Sequence, residues 1–175
     1  MAFLDETGHT FRARLGTTWA PVGQVPVLKR LSRRREVSSI VLLTAPQGGE
    51  RPKVLARHVI GAVHDKEVIA ALRYFRQRIG RPLVIIWDRL QAHRSKAIRA
   101  WLQRHTKDFR IEWLPPYAPD LDSEEGCNGM VKEALLNAAP PAISDLRRLA
   151  RREFLTLQHR PDVLRSFFEH AGLHV

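Results

Sequence analysis

The stretch Pro82-Leu-Val-Ile-Ile-Trp-Asp88 constrains this chain more than any other. A strand with one wet face alternates apolar and polar residues, so an unbroken apolar run reads as a central strand covered on both faces. Covering both faces takes helices, and the spacing predicts them. Val68, Ile69, Leu72, Phe75 and Ile79 fall on one stripe of a helix over 66–79, stopped by Gly80. Ile98, Trp101, Leu102 and His105 do the same over 96–105. A third helix is expected from Ser123 to about Ala138, with Val131, Ala134, Leu135 and Ala138 inward, ended by Pro140-Pro141. A last one covers 144–158, with Leu146, Leu149, Ala150, Phe154 and Leu157 on one face, and extends or is followed by another to about 170. Further strands are expected at 1–5, 37–44, 53–63 and 109–114. The order predicts an α/β fold: a mixed central sheet of about five strands flanked by helices.

Two segments belong to neither class. Residues 10–35 are rich in turns and basic groups, and Trp19-Ala-Pro-Val-Gly-Gln-Val-Pro26 reads as an irregular crossing. Pro115-Pro-Tyr-Ala-Pro-Asp-Leu-Asp122 is a rigid loop, since prolines so spaced fit neither helix nor central strand. Trp19, Trp87, Trp101 and Trp113 are expected in the core.

With 175 residues, 44% of them apolar, the chain can bury the core of one domain. The single cysteine, Cys127, excludes an internal disulfide framework and a cysteine-based zinc site. No stretch approaches the ~20 apolar residues of a membrane span, and Asp5-Glu6 interrupts any secretory leader. A reducing cytoplasm is therefore the expected location. Lys and Arg outnumber Asp and Glu by 29 to 18, a net charge of +11 that favours a polyanionic partner, nucleic acid first. Candidate phosphate contacts are Arg33, Arg34 and Arg35, and the face of Arg147, Arg148, Arg151 and Arg152 opposite its helix's apolar stripe.

Against that basic background two acids stand out. Asp5 is expected to end the first strand and Asp88 ends the apolar one. Carboxylates at strand ends sit where α/β sheets place active sites, and neighbouring strands would bring them together around a cation. Oxygen ligands suit Mg²⁺ or Mn²⁺. Glu125, at the start of the helix after the proline loop, is the candidate third acid. Lys132, seven residues on, shares its face. Asp120, Asp122 and Glu124 stand near enough to leave that assignment open. Bland roles exist for each: Asp5 in a turn, Asp88 as a cap, Glu125 in a capping box with Asp122.

The segments Leu4-Asp-Glu6, Thr18–Pro26, Ile86-Trp-Asp-Arg-Leu-Gln-Ala-His93 and Leu114–Asp122 followed by Glu125 and Lys132 resemble the DDE superfamily endonucleases. More closely, they resemble bacterial insertion-sequence transposases of the mariner superfamily. The resemblance implies an RNase H-like fold over residues 1–175, with 140–175 as its C-terminal helical part. It implies Asp5, Asp88 and Glu125 as the metal-binding catalytic acids, with Mg²⁺ or Mn²⁺, two ions, as cofactor. It implies DNA cleavage and strand transfer on transposon ends and target DNA by a homodimer, in a bacterial, nucleoid-associated setting, with His93 and Arg94 as DNA contacts. Where the family has Asn-Pro this chain has Asp122-Ser123, and where it has tryptophan this chain has Asn128. The family's helix-turn-helix modules precede the catalytic strand, and this chain is expected to lack them. An inactive remnant that binds DNA non-specifically, or pairs with and inhibits an intact transposase, is the alternative expectation.

Overall fold

The computed structural model describes residues 1–11, 16–29, 36–46, 48–90, 93, 95–116 and 119–174. Among them five strands and five α-helices follow in the order β1 (Ala2–Thr10), β2 (Glu36–Thr44), β3 (Lys53–Ile60), α1 (Asp65–Ile79), β4 (Leu83–Trp87), α2 (Lys96–Gln103), β5 (Phe109–Trp113), α3 (Ser123–Ala134), α4 (Ile143–Gln158) and α5 (Pro161–His170). The strands form one sheet in the order β3-β2-β1-β4-β5. β1 to β3 are antiparallel neighbours, while β4 runs parallel to both β1 and β5.

Alternation along the strands sorts side chains between two cores. Ala2, Leu4, Ile40, Leu42, Ile85 and Trp87 face α1 and α2, with Phe75 and Trp101. Phe3, Val41, Leu43 and Val54 face α3, α4 and α5, with Cys127, Val131, Phe154, Leu157, Leu164 and Phe168. The C-terminal helices thus share a core with the sheet. Gly80 closes α1 at φ 78°, a left-handed conformation that glycine adopts without Cβ strain.

Three local expectations are corrected. The first strand runs to Thr10, so Asp5 lies inside it, held by pairing with β2 through Thr10↔Glu36. α3 ends at Ala134, four residues early, where the chain turns and Asn137 takes φ 60°. Of the two continuations expected after residue 158 the structure has the second, a separate helix started by Pro161, because proline suits the first helical turn and breaks an interior. Trp19 is fully exposed, on an irregular segment from 16 to 29 that does not return to the sheet, whereas Trp87 and Trp101 are core.

Candidate metal centre

The site begins with register. β1 pairs with β4 through Ala2↔Ile85, Phe3↔Ile86 and Leu4↔Trp87, so Asp5 and Asp88 are the next residues along each strand. Both follow the face of Phe3 and Ile86, toward α3. The two aspartates therefore meet at the C-terminal edge of the parallel pair, where such sheets open a crevice.

Beneath them lies His93, only 2% exposed. Its ring stacks on Trp87 at 4.3 Å, and its two nitrogens bond Asp88 Oδ1 and Glu6 Oε2. Burial works against a charged imidazole, but Glu6 and Asp88 outweigh it and raise the pKa above its ordinary value. His93 thus secures Asp88 from below. The ring is buried and both of its nitrogens are taken up by carboxylates. Asp88 Oδ1 also accepts from the Leu90 amide at 3.3 Å, as a local cap would.

The proline loop aims α3. Leu114 N donates to Trp87 O at 2.8 Å and Arg89 Nε donates to Leu114 O at 2.9 Å, tying the loop's start to the end of β4. A 3-10 turn over Pro119–Leu121 follows, and Asp122 caps α3 by accepting from Glu124 N at 3.0 Å. The first turn of α3 then presents two glutamates about 100° apart around the helix axis. Glu124 is completely buried and lies against Asp5. Asn128, one turn on, donates from Nδ2 to Glu124 Oε2 at 2.6 Å and to Asp5 Oδ2 at 2.9 Å. Glu125 is exposed, in a cleft with Asp120, Asp122, Ser123, Phe167 and His170. The structure does not bring Glu125 to Asp5. The inward position belongs to Glu124, because a residue seven before Val131 shares its buried stripe and a residue six before does not.

Carboxyls crowded in this way resist ionisation. Burial first, with the charges of Glu6 and Asp88 contributing, pushes Asp5 up to about 6. Burial, then Asp5, Glu125 and Asp88, push Asp122 up to about 7. Burial and the charges of Asp5 and Asp122 hold Glu124 well above the usual carboxylate range. The Oε1 atoms of Glu6 and Glu124 are buried without a donor among the described residues. Repelling, under-partnered oxygens fit a hard divalent cation, which would neutralise the charge and complete the bonding. Among the described residues no three His, Cys, Asp or Glu side chains already stand at ligating distance of one point.

Of the basic residues singled out in the sequence, Lys132, Arg147, Arg148, Arg151 and Arg152 are exposed, with Arg148 paired to Asp145 and Arg152 to Glu153. Arg33, Arg34, Arg35 and Arg94 lie outside the described residues. In the sequence Glu124 is one of the acids left open as neighbours of Glu125, and Asn128 stands only as a departure from the family pattern. Their signal was present: counting back from Val131 by seven and by three places both on the apolar face.

The family model described as DDE superfamily endonuclease matches residues 1–147. No curated protein matches the chain. A pre-cleavage Mos1 transpososome matches with TM-score 0.60 at 13% identity, over 99% of this chain and 56% of that one. The catalytic domain of Mos1 mariner transposase matches with TM-score 0.54 at 12% identity, over 99% and 83%. A simian T-cell lymphotropic virus intasome, in complex with PP2A regulatory subunit B56 gamma, matches with TM-score 0.57 at 18% identity, over 85% and 46%. The chain spans about half the length of the transpososome and intasome chains it matches. At these identities the likeness is one of fold, the RNase H-like fold of transposase and integrase catalytic domains. The family match over residues 1–147 makes this chain a member of the DDE superfamily endonucleases.

Proposed function

We propose that the chain is a transposase catalytic domain that cleaves DNA phosphodiesters at transposon ends and joins the freed 3′-hydroxyl to target DNA. One observation carries the reading: the β1–β4 register sets Asp5 beside Asp88 on the face that α3 covers. Those two aspartates hold the divalent cation, Mg²⁺ or Mn²⁺, two ions in the working complex. Glu125 supplies the third carboxylate from the rim, where it is exposed. When bound, the ions supply positive charge for the attacking and leaving oxygens of a phosphodiester. The Mos1 catalytic domain has been solved with Mg and with Mn, and Mos1 transposase with a transposon end in a paired-end complex, which supports both the ion and the substrate class.

The chain's own residues then have distinct tasks. His93 restrains Asp88 from below. Lys132 and the exposed arginines of α4 contact phosphates, which positions a duplex without reading its bases. Two copies acting together on paired ends, and an origin in a bacterial insertion sequence acting in the cytoplasm, complete the proposal.

The test uses Mg²⁺-dependent cleavage of plasmid DNA. Asp88→Asn and Asp5→Asn are each expected to lower cleavage by at least about 100-fold with circular dichroism unchanged, and Glu125→Gln to do so as well. Equal cleavage by parent and Asp88→Asn would discard the reading. The alternative, an inactive remnant that binds DNA or pairs with an intact transposase, draws on one observation: Glu125 stands apart from Asp5. It prevails if neither Mg²⁺ nor Mn²⁺ binds the parent chain or supports nicking.

A further inference from the structure

We propose that Asn128, backed by Glu124, is a positioning residue that sets the orientation of the Asp5 carboxylate, making metal capture at β1 depend on a side chain outside the three-acid set. The inference rests on the metal-dependent reading above and adds to it a residue with no ligating role of its own.

The geometry is specific. Asn128 is 4% exposed and Glu124 0%, on a helix face whose other inward members are Cys127 and Val131. Polar groups so placed are costly unless partnered. Their partners are each other and Asp5. One amide nitrogen reaches Glu124 Oε2 at 2.6 Å and Asp5 Oδ2 at 2.9 Å. The amide nitrogen faces both carboxyls, and its oxygen is buried without a donor among the described residues. The contact also spans the fold. Asp5 and Asn128 are 123 residues apart in the chain, and this bond joins the catalytic strand directly to α3.

The consequence is a division of labour at Asp5. Its Oδ2 is turned toward α3 and restrained there, so the rotation that would swing the carboxylate away from Asp88 is opposed. Carboxylates that bind metals are ordinarily held in this way by hydrogen-bonding neighbours, and removing such a neighbour weakens metal binding by about 10- to 100-fold. Glu124 completes the arrangement by keeping the amide on the Asp5 side. Asn128 supplies the amide donor to the Asp5 carboxylate, beside a hydrogen bond from the Glu124 carboxyl, so the restraint is weakened when Asn128 is lost.

The experiment measures Mn²⁺ affinity of the full chain by calorimetry, with the Mn²⁺ electron paramagnetic resonance signal as a second readout. Asn128→Leu, similar in volume but without donors, is expected to weaken Mn²⁺ binding about ten-fold while circular dichroism stays unchanged, and Asn128→Gln, which keeps the amide, to remain within about three-fold of the parent. Asp5→Asn separates the two claims. If it retains parent affinity, the metal centre itself is wrong, whatever Asn128 does. If it loses Mn²⁺ as expected, parent-like affinity in Asn128→Leu overturns the positioning role, and so does an Asn128→Gln as weak as Asn128→Leu. Should Asn128→Leu not fold, Glu124→Leu replaces it, with the same expected loss and the same overturning result.

Discussion

Asp5 and His9 lie on the same face of one strand, and their surroundings are opposites. At His9 the buried hydrogen bonds run on from side chain to side chain. His9 Nε2 meets Ser39 Oγ at 2.9 Å, and the same hydroxyl meets His58 Nδ1 at 2.8 Å, accepting from one ring and donating to the other. The Phe154 ring packs against both, 6.3 Å from His9 and 5.8 Å from His58. Burial, with the nearby charge of Lys132 acting on His9 and those of His9, Arg151 and Arg147 acting on His58, lowers both pKa values to about 4. Both rings are therefore neutral at neutral pH. At Asp5 the bonding stays open: carboxyls repel, their pKa values rise, and buried oxygens lack donors. A buried polar group with all its partners ties a fold together. A knot of like charges without them is poised for something that arrives.

That contrast can be broken from either end. The largest stability effect is expected at the closed end, where Phe154→Ala removes the ring covering both histidines, a loss of about 3–5 kcal/mol read by urea unfolding. Ser39→Ala is next. It strands two buried imidazoles and should cost about 1–3 kcal/mol, and a neutral result would mean that Ser39 is not the bridge.

The pH dependence of the same cluster has a definite sign. A histidine whose folded pKa lies near 4 binds fewer protons folded than unfolded below about pH 6.5. Its contribution is present above that pH and is lost as pH falls toward 4. His58→Asn should therefore flatten the acid-side fall in Tm, and an unchanged slope would count against buried neutral rings.

The smallest effect belongs to the open end and points the other way. Asp122, pushed up to about 7, favours the folded state when protonated and loses that contribution as pH rises through 7. Asp122→Asn keeps a side chain able to cap α3. It should raise Tm at pH 8 by about 3 °C, on the order of 1 kcal/mol, and by less at pH 5. Destabilisation at both pH values would show that crowding is not what Asp122 contributes.

The difference between legible and illegible parts of this molecule follows the range of the forces. Helical stripes such as Val68, Leu72 and Phe75 could be read because periodicity of 3.6 is a local property, and Gly80 and Pro161 act on their own turns. The acid beside Asp5 was harder. Glu125 and Lys132 do share a face, as their spacing says, but it is the exposed face of α3, and the inward stripe through Val131 picks Glu124 and Asn128 instead. The burial of His93 was not legible, because only the folded chain lays its ring on Trp87. Trp19 was misjudged because aromatic character favours burial on average, and nothing in its own neighbours says whether the segment returns to the sheet.

What the sequence determined by itself was therefore most of the elements and the apolar strand that stops before Asp88, although Val84 leaves one face of that strand partly open. Each is decided by backbone and nearest-neighbour preferences. Only the tertiary structure decided that β1 lies between β2 and β4, that Leu4 pairs with Trp87, and that α3 turns Glu124 rather than Glu125 toward Asp5. Those choices belong to contacts between residues far apart in the chain, where packing of one surface on another outweighs what any short stretch prefers.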